Sequence, residues 1–260
     1  MRLAGAGTVV TGAARGIGFA IAQRFCAEGS RVVAADRDAD ALDAAVAALR
    51  LRGDAIGIVA DVSTEAANVA LIQAARAHLG TIDLFFANAG IMGGGMEASE
   101  AEWQRAFDVN VHAHRWAANH LLPAWLERGS GYFCSTASAA GLLTQIGSAP
   151  YTLTKHAAVA WAEWLAITYG DAGLRVSCLC PQGVDTDMLR GSGSGASVVR
   201  AAGTVLHPDE VAEAVVAGIA SETFLILPHP EVARYAAAKS ADRDAWIAGM
   251  RRLQRRTLGA

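Results

Sequence analysis

Short runs rich in valine and alanine, apolar along their length and each followed by a stretch of helical periodicity, constrain this chain more than any other feature. GTVVTG, RVVAAD, AIGIVAD and IDLFFANAG read as strands, with residues 16–28, 39–51 and 64–79 between them as helices. A strand with no polar face must be covered on both sides, which a parallel sheet between two helical layers provides. The alternation continues with a long helix at about 100–126, a strand at GYFCSTAS, a helix at about 150–170 and a strand at RVSCLCP. After a glycine-rich interruption come a helix near 208–220, a short strand at TFLILP and a C-terminal helical segment at about 229–256. The expected fold is α/β, one doubly wound domain over 1–260 with a parallel sheet of about seven strands.

The composition excludes several function classes. A 260-residue chain with 53% hydrophobic and 18% charged residues is globular, not disordered. A net charge of -3 gives no reason to expect nucleic acid as the partner. Arg251, Arg252, Arg255 and Arg256 read as a solvated stripe at the end of a surface helix. Cys26, Cys134, Cys178 and Cys180 have neither zinc-site spacing nor the density of a disulfide scaffold, so they read as buried thiols and no metal is expected. No apolar run is long enough to cross a bilayer, and the glycine loop begins by Gly12, which leaves no room for a removable signal. The expected location is the cytoplasm, with no membrane partner.

TGAARGIG, residues 11–18, lies directly between the first strand and the first helix. Glycines at 12, 16 and 18 suit a turn where backbone approaches a ligand, and the amides opening the helix can hold a pyrophosphate. Asp36 ends the second strand, where its carboxylate can accept hydrogen bonds from ribose hydroxyls and repel an added phosphate, which favours NAD. Arg15 and Arg37 pull the other way, toward NADP. Asp61, ending the third strand, is placed to meet the adenine edge.

These features, with DV at 61, NAG at 88, Asn110 in DVNVH, Ser138 in STASAAG, Tyr151 and Lys155 in YTLTK, and PQGVDT at 181, resemble the short-chain dehydrogenase/reductase family over nearly the whole chain. The resemblance implies a Rossmann-type domain and an NAD-dependent oxidoreductase acting on a secondary alcohol or its ketone. It makes Tyr151 the general acid/base, Lys155 its electrostatic partner and a ribose contact, Ser138 the hydroxyl that orients the substrate, and Asn110 the holder of a water that links Lys155 to solvent. Free tyrosine, with a pKa of about 10, is ionised too little at neutral pH. A unit charge about 4 Å away at an effective dielectric near 20 is worth roughly 4 kcal/mol, or about three pKa units. The cofactor contacts implied are Gly12, Arg15, Gly16, Ile17, Gly18, Asp36, Arg37, Asp61, Val62, Asn88, Ala89, Gly90, Tyr151, Lys155, Pro181, Gly183, Val184 and Thr186. PQGVDT departs from the commoner P-G-x-V-x-T by placing Gln182 where glycine often stands.

The substrate side is expected to involve Ser138, Gln145, Gln182 and Met188, in largely apolar surroundings that include residues 92–96. Residues 187–206, which contain RGSGSGASVVRAAG, are expected to form a substrate lid that is mobile without ligand. Helices around Trp116–Trp125 and Trp161–Trp164 carry enough large apolar surface to predict a homotetramer or homodimer. The competing reading is a dinucleotide-binding regulatory or scaffold protein without turnover. Retention of Asn110, Ser138, Tyr151 and Lys155 together argues against it.

Overall fold

In the computed structural model, described for residues 1–95, 97–191 and 203–259, each apolar run becomes a strand and each intervening stretch a helix. The first half is β1 (Gly7–Thr11), α1 (Gly16–Ala27), β2 (Arg31–Asp36), α2 (Ala39–Arg50), β3 (Ala55–Val59), α3 (Glu65–Leu79) and β4 (Leu84–Ala87). There follow α4 (Glu100–Phe107), α5 (Ala113–Arg128), β5 (Gly131–Thr136), α6 (Ala149–Tyr169) and β6 (Leu174–Leu179). The last part has β7 (Gly183–Val184), a short α7 (Asp187–Gly191), β8 (Val205–Leu206), α8 (Pro208–Ala220), β9 (Leu225–Ile226), α9 (Glu231–Ala241) and α10 (Arg243–Leu258). Met96 and residues 192–202, and with them most of the expected lid, lie outside the described residues.

Seven strands form one parallel sheet in the order β3-β2-β1-β4-β5-β6-β9, and β7 and β8 pair separately. Alternate residues of a strand face opposite layers, so adjacent side chains serve different cores. Val9, Val33, Phe85 and Phe133 pack with Leu71, Leu121 and Leu165 of α3, α5 and α6. Val10, Val32, Phe86 and Tyr132 pack with Phe25, Val46 and Val215 of α1, α2 and α8. The edge strand β3 departs from the expected two-sided burial, for Val59 at its end is 58% exposed. Trp125, expected to supply association surface, is a core residue whose indole N–H donates to the Ile82 carbonyl at 2.7 Å. Arg251, Arg252, Arg255 and Arg256 are all exposed on α10.

Two local departures from ideal geometry position the site. The strand order reverses between β1 and β4, which opens a crevice at the carboxyl ends of the strands. The predicted long helix at 100–126 is two helices joined by a π-turn, Asp108–His112, with Asn110 at its centre. Such wide turns bring otherwise helical residues out of register and gather at functional sites.

Candidate active site

Side chains cap most helix starts in this chain. Asp38, Thr64, Ser99, Ser148 and Asp242 accept backbone N–H groups at the starts of α2, α3, α4, α6 and α10. Helix α1, which opens directly after the glycine loop, has no such cap: Arg15 precedes it without a capping bond, and its first turn has no acidic residue. Its leading N–H groups and the positive end of its dipole are therefore available to an anion. Gly12 and Gly16 have φ of +64° and +56°, a region that favours glycine. A Cβ on Gly18 would collide with the Gly12 carbonyl and the Asn88 amide. The loop fits a dinucleotide pyrophosphate by both its shape and its unpaired donors.

A cleft of about 470 Å³ runs from this loop along the strand ends. Lining it are Gly12, Arg15, Gly16, Ile17, Gly18, Asp36, Arg37, Asp61, Val62, Asn88, Ala89, Gly90, Ser138, Gln145, Tyr151, Lys155, Pro181, Gln182, Val184, Thr186 and Met188, all singled out in the sequence. Two expected residues lie behind the wall. The Gly183 carbonyl accepts from buried His229 at 3.1 Å, and Asn110 is fully buried. Both N–H positions of the Asn110 amide are taken, by the Ile91 carbonyl at 2.9 Å and Thr154 Oγ1 at 3.0 Å, while its Oδ1 accepts from the Ile91 N–H at 2.9 Å. The Asn110 side chain thereby pins the loop after β4.

At the end of the cleft expected to take the adenosine, Asp36, Arg15 and Asp61 are already partnered. Asp36 accepts from the backbone of Ala14 at 3.1 Å and of Asp38 at 3.2 Å, which fixes its carboxylate where β2 ends. Arg15 is paired with Asp38. Asp61, expected to meet the adenine edge, is bound by Arg105 at 2.8 Å and by the Ser63 N–H at 3.1 Å. Burial alone would raise its pKa; Arg105 and Ser63 outweigh that and hold the carboxyl below the ordinary range. Nothing in the sequence pointed to Arg105, which reaches Asp61 from α4, 44 residues away.

Three groups converge at the other end. The Ser148 hydroxyl caps the Tyr151 N–H at 3.3 Å and donates to the Gly94 carbonyl at 2.7 Å, anchoring the start of α6. One turn on, Lys155 places Nζ 5.6 Å from the centre of the Tyr151 ring and donates to the Thr136 carbonyl at 2.9 Å. Gly90 makes this approach possible: a Cβ there would stand 3.3 Å from both Lys155 Nζ and Asn110 Oδ1. Ser138 follows β5, donates to the Pro181 carbonyl at 3.4 Å and accepts from the Ala140 N–H at 3.1 Å. Burial lowers the Lys155 pKa to about 8, with the Cys178 and Cys180 thiols opposing the shift. Burial raises that of Tyr151, with Ser138 opposing. Lys155, expected to depress the phenol pKa, is not among the groups that shift it here, and desolvation dominates.

A model of the short chain dehydrogenases matches residues 7–197. The chain belongs to the short-chain dehydrogenase/reductase family. As a member it is an oxidoreductase that acts on hydroxyl groups with NAD(P). It is 37% identical to a 1-deoxy-11-beta-hydroxypentalenate dehydrogenase of Streptomyces avermitilis over 237 residues, 89% of this chain and 87% of that one. A meso-2,3-butanediol dehydrogenase of Serratia marcescens is 34% identical over 223 residues, 82% of this chain and 86% of its own. The crystal structure of a short-chain dehydrogenase/reductase from Burkholderia phymatum in complex with NAD superposes with a TM-score of 0.86 at 31% identity, covering 94% of this chain and 96% of that one.

Proposed function

We propose that this dehydrogenase uses NAD and interconverts a hydrophobic secondary alcohol and its ketone, with Tyr151 as general acid/base. The observation that carries the reading is the convergence of the Ser138 hydroxyl, the Tyr151 phenol and the Lys155 ammonium at one end of a cleft whose other end is an uncapped helix start. In the oxidation, the ionised Tyr151 takes the hydroxyl proton of the alcohol. Ser138 donates to the substrate oxygen and keeps its carbon in place. Lys155, steadied by the Thr136 carbonyl, favours the phenolate and reaches the nicotinamide ribose. When bound, the oxidised coenzyme supplies the hydride acceptor and a second positive charge beside the phenol.

The α1 amides and Gly12, Gly16, Ile17 and Gly18 would hold the pyrophosphate. Val62, Ala89 and Gly90 would line the nucleoside side, and Pro181, Val184 and Thr186 the carboxamide. Asp36 would take the ribose hydroxyls. The preference for NAD is supported by two carboxylates, Asp36 and Asp38, at the point where a 2′-phosphate would sit, with the Arg15 guanidinium already occupied by Asp38. Both curated relatives described above carry a hydroxyl-bearing compound in their names, which favours an alcohol substrate. Ile91, Met92, Met188 and Leu189 along the cleft favour an apolar one.

A cytoplasmic location is supported by four free thiols, all buried, and by the lack of any described helix long and apolar enough to cross a membrane. Assembly into a homodimer or homotetramer is supported by the apolar face of α6. The deciding experiment is a panel of secondary alcohols and ketones with NAD and NADP, followed by reduced-nicotinamide absorbance. Turnover with a preference for NAD is expected. Tight NADH binding with no turnover on any member would favour a regulatory dinucleotide-binding role.

A further inference from the structure

Gln182 occupies an unusual setting. Its N–H donates to His229 Nδ1 at 3.1 Å, and His229 Nε2 donates to the Gly183 carbonyl at 3.1 Å, so one buried imidazole fixes the backbone at residue 182 and just after it. On its other side the Pro181 carbonyl accepts from the Ala139 N–H at 2.8 Å and from Ser138 Oγ at 3.4 Å. The residue is thereby held next to the hydroxyl that orients the substrate. Its side chain lines the cleft, yet Oε1 is buried and accepts no hydrogen bond among the described residues. A Cβ on Gly203 would stand 3.5 Å from Gln182 Nε2, 3.7 Å from its Oε1 and 3.2 Å from Glu231 Oε1, so the amide and an acidic group flank the same point.

A buried amide oxygen with no donor weakens the folded protein, since water has been removed and nothing replaces it. A glycine or an apolar side chain at 182 would avoid the penalty and still let the backbone be clamped. The residue therefore makes sense if a ligand supplies the missing donor. We propose that Gln182 is a specificity-determining residue whose Oε1 accepts a hydrogen bond from a second hydroxyl group of the substrate, which makes diols and hydroxy ketones the preferred substrate class over simple secondary alcohols. This rests on the oxidoreductase reading above and sharpens it. A site with a buried acceptor discriminates strongly against an analogue that lacks the matching hydroxyl, because the acceptor is then sealed in unpaired.

The test compares cyclohexanol with cyclohexane-1,2-, 1,3- and 1,4-diol, and 2-butanol with 2,3-butanediol, using the full chain with NAD. The unmutated protein should favour at least one diol by about tenfold or more in kcat/KM, mainly through KM. Gln182→Leu, close in volume but without an acceptor, should bring that ratio to about one, and Gln182→Glu, which keeps an acceptor, should retain part of it. The same diol added to the NADH complex should raise the melting temperature of the parent and not that of the leucine variant. A ratio near one in the unmutated protein, or an undiminished ratio in Gln182→Leu, overturns the inference. So does a rise in the KM for NAD with the diol ratio unchanged, which would assign Oε1 to the coenzyme carboxamide. Failure to turn over any alcohol or ketone overturns the oxidoreductase reading as well, and is distinct from turnover without diol preference.

Discussion

At the scale of single residues, the site holds ionisable groups under conditions that oppose their charged forms. Tyr151→Phe removes the ionisable oxygen and keeps the ring packing, so turnover should fall about 10²- to 10⁴-fold while NADH binding, followed by fluorescence, changes little. Near-normal activity in that variant would remove Tyr151 from the mechanism. Lys155 pulls stability and function in opposite directions. Its pKa is lowered from the ordinary 10.5 to about 8, so at neutral pH the folded state holds an ammonium it disfavours by about 3 kcal/mol. That cost is fully present below pH 8 and is relieved as pH rises from about 8 to 10.5, where the unfolded chain binds the extra proton. Lys155→Met removes the cost and leaves the Thr136 carbonyl without its donor, which returns about 1 kcal/mol. The ligand-free variant should therefore melt about 5 °C above the parent at pH 7, with the gap narrowing toward pH 10.5, while losing turnover and binding NADH less well. Equal melting temperatures at pH 7 would mean that the ammonium is not strained.

At the scale of elements, the cofactor choice is made where three of them meet: the start of α1, the end of β2 and the start of α2. Asp36 there fixes the glycine loop through Ala14 and, on the proposed reading, would face the ribose, while Asp38 both caps α2 and occupies Arg15. Two unit charges 4 to 6 Å apart at effective dielectrics of 20 to 80 interact by about 1 to 4 kcal/mol. Asp36→Ala should accordingly raise the NADP to NAD ratio of kcat/KM by about tenfold or more, chiefly by weakening NAD, and an unmutated protein that prefers NADP would overturn the assignment. Much of this layout was legible in the sequence, because an apolar strand, a glycine turn and an acidic strand end are local features in fixed order. What was not legible depends on contacts across long separations. Arg105 reaches Asp61 from 44 residues away, and His229 clamps Gln182 across 47. The π-turn around Asn110 was also hidden, since a wide turn leaves the apolar periodicity of 100–126 nearly intact; the only signal was an asparagine in mid-helix.

At the scale of the molecule, sheet coverage separates buried aromatic residues from exposed ones that the sequence could not tell apart. Trp125 turns inward onto Ile82, while Trp164 is 47% exposed on α6 and stacks with Trp161, their ring centres 5.2 Å apart. Leu153 and Ile167 are 49% and 83% exposed on the same helix. With Ala160 and Trp164 they fall at positions i, i+7, i+11 and i+14, which share one face at 3.6 residues per turn. The Trp161 indole N–H beside it is buried without an acceptor among the described residues. A second copy laid against α6 would cover that face and brace the helix that carries Tyr151 and Lys155. Sedimentation at micromolar concentration should therefore give a dimer or tetramer. Ile167→Glu, which places a charge on the exposed face and touches no residue of the cleft, should shift the population toward smaller species and lower the melting temperature in a concentration-dependent way. A parent protein that sediments as a monomer at micromolar concentration would leave the α6 face open and contradict the assembly.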